Sequence, residues 1–320
     1  SVPMMISMLV QALYNIVDSI FVSRVNEAAL SAVSLAFPIQ NLMIAFAVGT
    51  AVGVNAYRSR CLGEGNRAEA SRAAMNGLFL AFCGGIAFLV FGILGARAFI
   101  ASQTTDAQIM QYGADYLSIC TLWCMGLFLQ CMLEKLLVAT GRSAFAMASQ
   151  LIGALVNIAL DPIFIFVCRW GMMGAAVATV LGQIVTAAMA VWYLCHMKTV
   201  ELSRKSLRLD GTVVKRFLPL GVCSFLSQIS LVAAMAAINN ALQKYGAMDP
   251  IFGQAEYAQI PMAVVGIVMK FFQIVISIAI GLSAGCIPVV GYNIGAGRRD
   301  RARALLHRLL LAEAVVGLVA

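Results

Sequence analysis

The sequence predicts an all-α polytopic membrane protein, and three observations predict it. Hydrophobic residues make up 62% of the 320 and charged residues only 11%, against about 45–50% and 25% in soluble domains. The apolar residues gather into runs near 2–23, 33–57, 74–98, 113–137, 144–168, 174–197, 217–243, 257–290 and 304–320, each close to or above the roughly 20 residues that span a bilayer. Lys and Arg sort by alternate ends of the runs, seventeen on one side against four on the other, with only Lys270 near the middle of a run. The positive-inside rule then places the N-terminus in the cytoplasm of a multi-pass plasma membrane protein, with the lipid bilayer as its main solvent.

The remaining composition narrows the class. A formal charge of +8 and a pI near 9.1 report cytoplasmic loops and imply no nucleic-acid partner. Nine cysteines stand singly beside two histidines, so neither a metal site nor a disulfide framework is predicted, and the thiols read as small apolar fillers. No phosphate loop, nucleophile elbow or His-rich motif appears, so no enzyme is expected. The chain opens on one apolar helix and stops inside another without a cleavable signal peptide, and it reads as a fragment.

An internal repeat organises the helices. Gly49, Gly53, Gly63, Gly65 and Arg67 match Gly281, Gly285, Gly295, Gly297 and Arg299 at a constant offset of 232 residues, and Ala70 and Ala302 keep that register. Both copies lie at the basic end of a run, so the repeat is parallel, as in transporters whose halves share an axis along the membrane normal. The halves are expected at 1–197 and 217–320, joined by the basic segment 198–216. Pro3 and Pro219 open the first helix of each, although their spacing to the glycines differs.

Taken in order, the helices carry polar stripes. Ser7, Gln11, Tyr14 and Asp18 lie on one face of the first, Gln150, Asn157 and Asp161 on one face of the fifth, and Thr179, Gln183 and Thr186 on one face of the sixth. An ionisable group at mid-membrane costs on the order of 3 kcal/mol or more and faces a cavity or a partner, so these faces are expected to line a shared cavity. Hydrogen bonds between helices are the alternative for the Ser, Thr and Gln residues. Counting from the helix ends puts Asp18, Asp161 and Thr179 at a common depth, about 8 to 10 Å below the outer surface, with Asn157 roughly 6 Å deeper. Two carboxylates, an amide oxygen and a hydroxyl are hard oxygen donors, suited to H+ or an alkali cation rather than a transition metal. Pro162 directly after Asp161 and Pro3 in the first helix are expected to permit bending. In the second half Lys270 sits mid-helix with Gln273 and Ser277 on its face, and Glu134 is a candidate partner; Phe271 and Phe272 read as packing.

Gln11-Ala-Leu-Tyr-Asn-Ile-Val-Asp18-Ser-Ile-Phe-Val, the Arg60-Cys-Leu-Gly63-Glu-Gly65 loop and Gly281-Leu-Ser-Ala-Gly-Cys-Ile-Pro288-Val-Val-Gly-Tyr-Asn293-Ile-Gly-Ala-Gly297 resemble the multidrug and toxic compound extrusion (MATE) family over essentially the whole chain. The resemblance implies a two-lobe fold of parallel six-helix repeats, here truncated at about nine of twelve helices. It implies a monomeric secondary antiporter that exports cationic or amphiphilic small molecules against inward H+ or Na+ by alternating access, with no other cofactor. On the DinF-like pattern the cation-coupling residues are Asp18, Asn157, Asp161 and Thr179, Na+ being the one metal such a site could hold. Gln11, Tyr14, Gln150, Gln183 and Lys270 are then substrate-cavity candidates. No acid in 217–243 matches the helix-seven acid of the NorM-like branch, which puts coupling through the second lobe in doubt. A lipid-linked precursor flippase of the same superfamily is the alternative; it would need a cationic cavity, against Asp18 and Asp161.

Overall fold

The computed structural model describes residues 2–23, 27–104, 107–196, 210–246, 248 and 260–319. They form ten α-helices: α1 (Val2–Ser23), α2 (Glu27–Gly63), α3 (Arg67–Gln103), α4 (Ala107–Leu122), α5 (Cys124–Ala139), α6 (Ser143–Pro162), α7 (Met172–His196), α8 (Gly211–Gly246), α9 (Ile260–Gly295) and α10 (Arg299–Val319). Lipid offers the backbone no hydrogen-bond partners, so each apolar run must close its own bonds as a helix. Among the described residues six helices are long and apolar enough to cross a membrane, and α4 with α5 makes a seventh. The apolar part of α1, Val2–Val17, is shorter. α10 opens with Arg299, Arg301, Arg303, His307 and Arg308 in its first ten residues, so its apolar stretch starts late.

Three local departures from the sequence reading have physical causes. The run expected as one helix over 113–137 is two, bent by 44° at Trp123. Thr121 Oγ1 donates back to the carbonyls of Leu117 at 2.7 Å and Ser118 at 3.1 Å, a side-chain bond that bends helices. α8 begins at Gly211, so 211–216 of the expected linker are helical, whereas 198–209 lie outside the described residues. Asp210 starts α8 by accepting from the backbone N–H of Thr212 at 2.9 Å, an N-cap. Pro219 therefore lies inside α8 and does not open it, whereas Pro3 occupies the first turn of α1, where its missing N–H leaves no bond unmade. After Pro162 the chain continues as one π-helical turn, Ile163–Val167, closed by Cys168 N–H to Ile163 C=O at 2.8 Å.

The repeat is visible in the backbone. The turn between α2 and α3 is closed by Glu64 N–H to Arg60 O, Gly65 N–H to Leu62 O, Asn66 N–H to Cys61 O and Arg67 N–H to Gly65 O. The turn between α9 and α10 repeats every one of these bonds at the same offset, from Ala296 to Tyr292, Gly297 to Ile294, Arg298 to Asn293 and Arg299 to Gly297. Gly65 and Gly297 hold φ of 75° and 72°, the left-handed conformation that glycine adopts at no steric cost. The two copies also touch reciprocally. A Cβ on Gly63 would overlap the carbonyl of Tyr292, and one on Gly295 would overlap the carbonyl of Arg60, which is the repeat's counterpart of Tyr292.

The first half meets the second along small residues toward the basic end. α2 lies on α8 with Gly49 and Gly53 against Gly221, and α1 lies on α9 with Met5 against Gly281. Small residues let backbones approach, which is how apolar helices associate when lipid removes the hydrophobic drive between them. A polar knot closes the same end. Tyr57 of α2 donates to Glu69 Oε1 of α3 at 2.9 Å, and Arg216 of α8 reaches Tyr57 Oη at 3.3 Å and Glu69 Oε1 at 3.5 Å. Asn76 Oδ1 of α3 accepts from the backbone N–H of Asp210 at 2.8 Å.

Candidate cation site

α6 carries an amide and an acid one helical turn apart, and close packing with α7 brings a hydroxyl to them. Gly153 of α6 and Gly182 of α7 face each other so closely that a Cβ on Gly182 would lie 2.8 Å from the Gly153 carbonyl. This approach lets Asn157 Nδ2 donate to Thr179 Oγ1 at 3.3 Å and to Asp161 Oδ1 at 3.4 Å. Asn157 is 2% exposed and Asp161 0%. Buried carboxylates require such donors, because an unsolvated charge is costly.

A cavity of about 20 Å³ lies beside this cluster, lined among others by Tyr14, Gln130, Gln150, Asn157, Thr179 and Gln183. A water-sized guest needs roughly 10–15 Å³ on the same measure, so the space admits one or two species of that size and no drug-sized molecule. Its polar lining is unevenly satisfied. Gln130 Nε2 donates to Gln150 Oε1 at 3.1 Å and Thr186 Oγ1 to Gly182 O at 3.0 Å. Asn157 Oδ1 and Gln130 Oε1 are buried and accept nothing within the described residues. Both bare atoms are acceptors, and a buried acceptor left unmade costs about 1–3 kcal/mol. What fits chemically is a small guest that offers positive charge or protons.

The structure thus brings Asn157, Asp161 and Thr179 together and sets Tyr14, Gln150 and Gln183 around one cavity. Asp18 lies on α1, which packs along α6, but its side chain is outside the described residues. Gln11 is half-buried on α1 and Lys270 half-buried on α9, and neither lines the cavity. The ionic partner of Glu134 is its neighbour Lys135, at 2.8 Å with both side chains buried, which corrects the pairing of Glu134 with Lys270. Arg58, read from sequence as a loop cation, lies inside α2, is 2% exposed and donates to the Leu136 carbonyl at 3.1 Å. Gln130 is the lining residue that sequence reasoning missed. Its signal was a single amide within the apolar stretch of α5, too slight to form a stripe.

The MatE family model matches residues 3–163 and 229–320. A curated relative, "Multidrug export protein MepA" of Staphylococcus haemolyticus (strain JCSC1435), is 25% identical over 318 residues, covering 99% of this chain and 68% of the relative. Two solved structures superpose closely. "Crystal structure of MATE in the straight conformation" gives a TM-score of 0.90 at 25% identity over 99% of this chain and 69% of that one. "Outward-facing conformation of a multidrug resistance MATE family transporter of the MOP superfamily" gives 0.87 at 24% identity, covering 99% and 68%. Architecture and similarity define a multi-pass, all-α membrane transporter. This chain belongs to the MatE family.

Proposed function

We propose that the protein is a cation-coupled antiporter that exports cationic or amphiphilic small molecules against inward H+ or Na+, with Asn157, Asp161 and Thr179 at its coupling site. Asp18, placed in that site by its sequence pattern, belongs to the same proposal. The observation that carries the reading is the pair of bare buried acceptors, Asn157 Oδ1 and Gln130 Oε1, on a cavity of ionic dimensions, with Asp161 bonded to Asn157 at its edge. Multidrug export by the staphylococcal relative supports a small-molecule cargo. Among the described residues the cavity lining holds no Lys or Arg, so that lining offers nothing to the anionic headgroup that a flippase would carry. Tyr14, Gln150 and Gln183 border the ion, and the wider substrate path, with Gln11 and Lys270 on it, runs between residues 1–197 and 217–320. The basic end is cytoplasmic, with the N-terminus inside, and the glycine contacts and polar knot there hold that end closed. Loading of the ion and of the exported compound must oppose each other for exchange, since coupling is reciprocal.

Asp161→Asn tests this in proteoliposomes, where it keeps the side-chain shape and removes the charge. The variant is expected to insert and to lose export driven by an imposed pH or Na+ gradient, each gradient applied alone so that the coupling ion is identified. Native-like transport by correctly inserted Asp161→Asn would leave Asp161 a structural hydrogen-bonding residue and end the proposal.

A further inference from the structure

The cavity beside Asn157 runs along α6 and α7 toward the basic end. Its lining extends from Asn157 back to Gln150 on α6 and from Thr179 on to Thr186 on α7, seven residues or about 10 Å along each helix. Asn157 meets Thr179 at the outer end of this slot. At the inner end Thr186 Oγ1 donates to the Ser149 carbonyl at 3.3 Å, and Gln150 Oε1 accepts from Gln130 of α5.

One helical turn past Gln130, on the same face of α5, stands an acid, Glu134. It is 7% exposed, and Lys135, 5% exposed, donates to it at 2.8 Å. The direction is inward, because the following part of α5 packs on the basic end of α2, with Met132 and Leu136 in one core with Val54 and Tyr57. Glu134 is therefore about 6 Å nearer to that end than Gln130, and α5 stops at Ala139, about 8 Å further on. Polar side chains thus follow one another from Asp161 through Asn157, Gln150 and Gln130 to Glu134, inside the first half throughout.

The other ionisable groups at this end have their own places. Arg58 of α2 is bonded to the Leu136 carbonyl, and Tyr57 to Glu69 of α3, which also faces Arg72 and Arg216. Tyr193 of α7 stacks on Phe145 of α6 at 3.8 Å, and α6 begins just after Arg142. Cys131 lies one turn before Glu134 on α5, and Cys286 and Tyr292 are on α9, which touches α5 only lightly. The ionisable groups of α4 lie beyond the opposite end of α5, and Ser1, three residues before the Met4 that packs on Leu133 and Leu137, is outside the described residues. Lys135 is the base that meets Glu134. An ion pair between neighbours on one helix ties no second helix to it, yet both charges are taken out of water at a cost. A buried acid kept on such terms is kept for its chemistry.

We propose that Glu134, held ready by Lys135, is the inner proton relay of the transporter, through which a proton carried on Asp161 leaves to the cytoplasm within the first half. The Asp161 carboxyl gives its proton to water in the slot, and that water gives one to the Glu134 carboxylate, loosening its pair with Lys135. The neutral acid then passes the proton to cytoplasmic water and recovers both its charge and its pair. One proton has moved and both carboxylates are restored. The exported compound travels between the halves, so the two cargoes leave by separate routes. The proposal rests on the antiport reading above and takes H+ as its coupling ion.

The test uses the full-length transporter in proteoliposomes with ethidium as the probe. Glu134→Gln/Lys135→Met removes the relay and leaves no buried charge unpaired. Ethidium transport driven by a pH gradient is expected to slow about a hundredfold, the lower end of what a positioned proton-transfer group contributes. Exchange of ethidium for ethidium without a gradient needs no proton, and it is expected to keep its native rate. Lys135→Met alone retains the carboxyl and is expected to transport far faster than the double variant. Native gradient-driven transport by the double variant, equal slowing of transport and exchange, or equal slowing in both variants would overturn the proposal. Native transport driven by a Na+ gradient and not by a pH gradient would overturn it while leaving the antiport reading intact. Absence of ethidium transport by the native protein under either gradient would overturn both.

Discussion

Asn157 spends its amide hydrogens on Asp161 and Thr179 and leaves its carbonyl oxygen bare, and Gln130, which donates one bond to Gln150, leaves its carbonyl oxygen bare as well. The amide nitrogens hold the cluster together, and the two amide oxygens are its bare acceptors. Gln130→Leu therefore separates ligation from stability. It removes a bare buried oxygen but orphans Gln150 Oε1, so stability is expected to change by no more than about 1 kcal/mol. The concentration of coupling cation giving half-maximal transport is expected to rise about tenfold, and an unchanged value would mean that the bare oxygen holds no ion. At this scale the acid and the amide were legible in the sequence because polar groups inside a spanning run are costly and their spacing of four sets them on one face. Gln130 was not legible, since a lone amide in an apolar helix gives no period, and what marks it is the fold that carries it across from Gln150.

The helices show why their number was easier to read than their ends. Lipid forces apolar stretches of nearly fixed length, which exposes every run, but bends and starts depend on single hydrogen bonds that leave hydropathy untouched. Thr121 bending α4 into α5 and Asp210 starting α8 are both of this kind. The Asp210 cap gives α8 a pH dependence of known sign. The backbone N–H of Thr212 holds the Asp210 carboxyl below its ordinary value, so the folded state binds that proton less tightly than the unfolded chain. Its contribution is fully present above about pH 4, the unfolded value, and is lost as pH falls through the lower folded value. Thermal melts of native protein and Asp210→Ala are expected to differ by a constant amount from pH 7 to 5 and to converge in more acid solution; a constant difference at all pH values would exclude the carboxylate as the cap. Between α6 and α7 the deciding feature is the Gly153 to Gly182 approach. Gly182→Ala would set its Cβ 2.8 Å from the Gly153 carbonyl and 3.2 Å from the Asn157 Cβ. Pushing the helices apart is expected to cost about 1–3 kcal/mol and to weaken cation dependence by lengthening the bond from Asn157 to Thr179. Unimpaired coupling in this variant would show that the bond is dispensable.

At the scale of the whole molecule, the described halves meet through glycine contacts toward one end and are tied there by the polar knot of Tyr57, Glu69 and Arg216. That end carries most of the basic residues, and on the antiport reading proposed above it must open in each cycle. The glycine seam supplies apposition without long interlocking side chains, and the knot supplies a modest bias toward closure. The bias is modest because Arg216 is 60% exposed in its side chain, although Glu69 is only 16% exposed; a largely exposed ion pair contributes about 0.2–1 kcal/mol. Glu69→Gln weakens two of the contacts at once, the bond from Tyr57 and the charge facing Arg216. The open population at the basic end is expected to rise by a factor of about 1.4 to 5, the equivalent of that energy range. A single cysteine at Ser59, buried beside the seam, reports it in a cysteine-free background as a faster reaction with an impermeant thiol reagent in inside-out vesicles. Arg216→Gln is expected to give the same increase, and the double variant no more than either alone, since each removes the same interaction. Equal labelling rates in all four proteins would mean that the knot only decorates the surface and that the glycine seam alone sets the equilibrium.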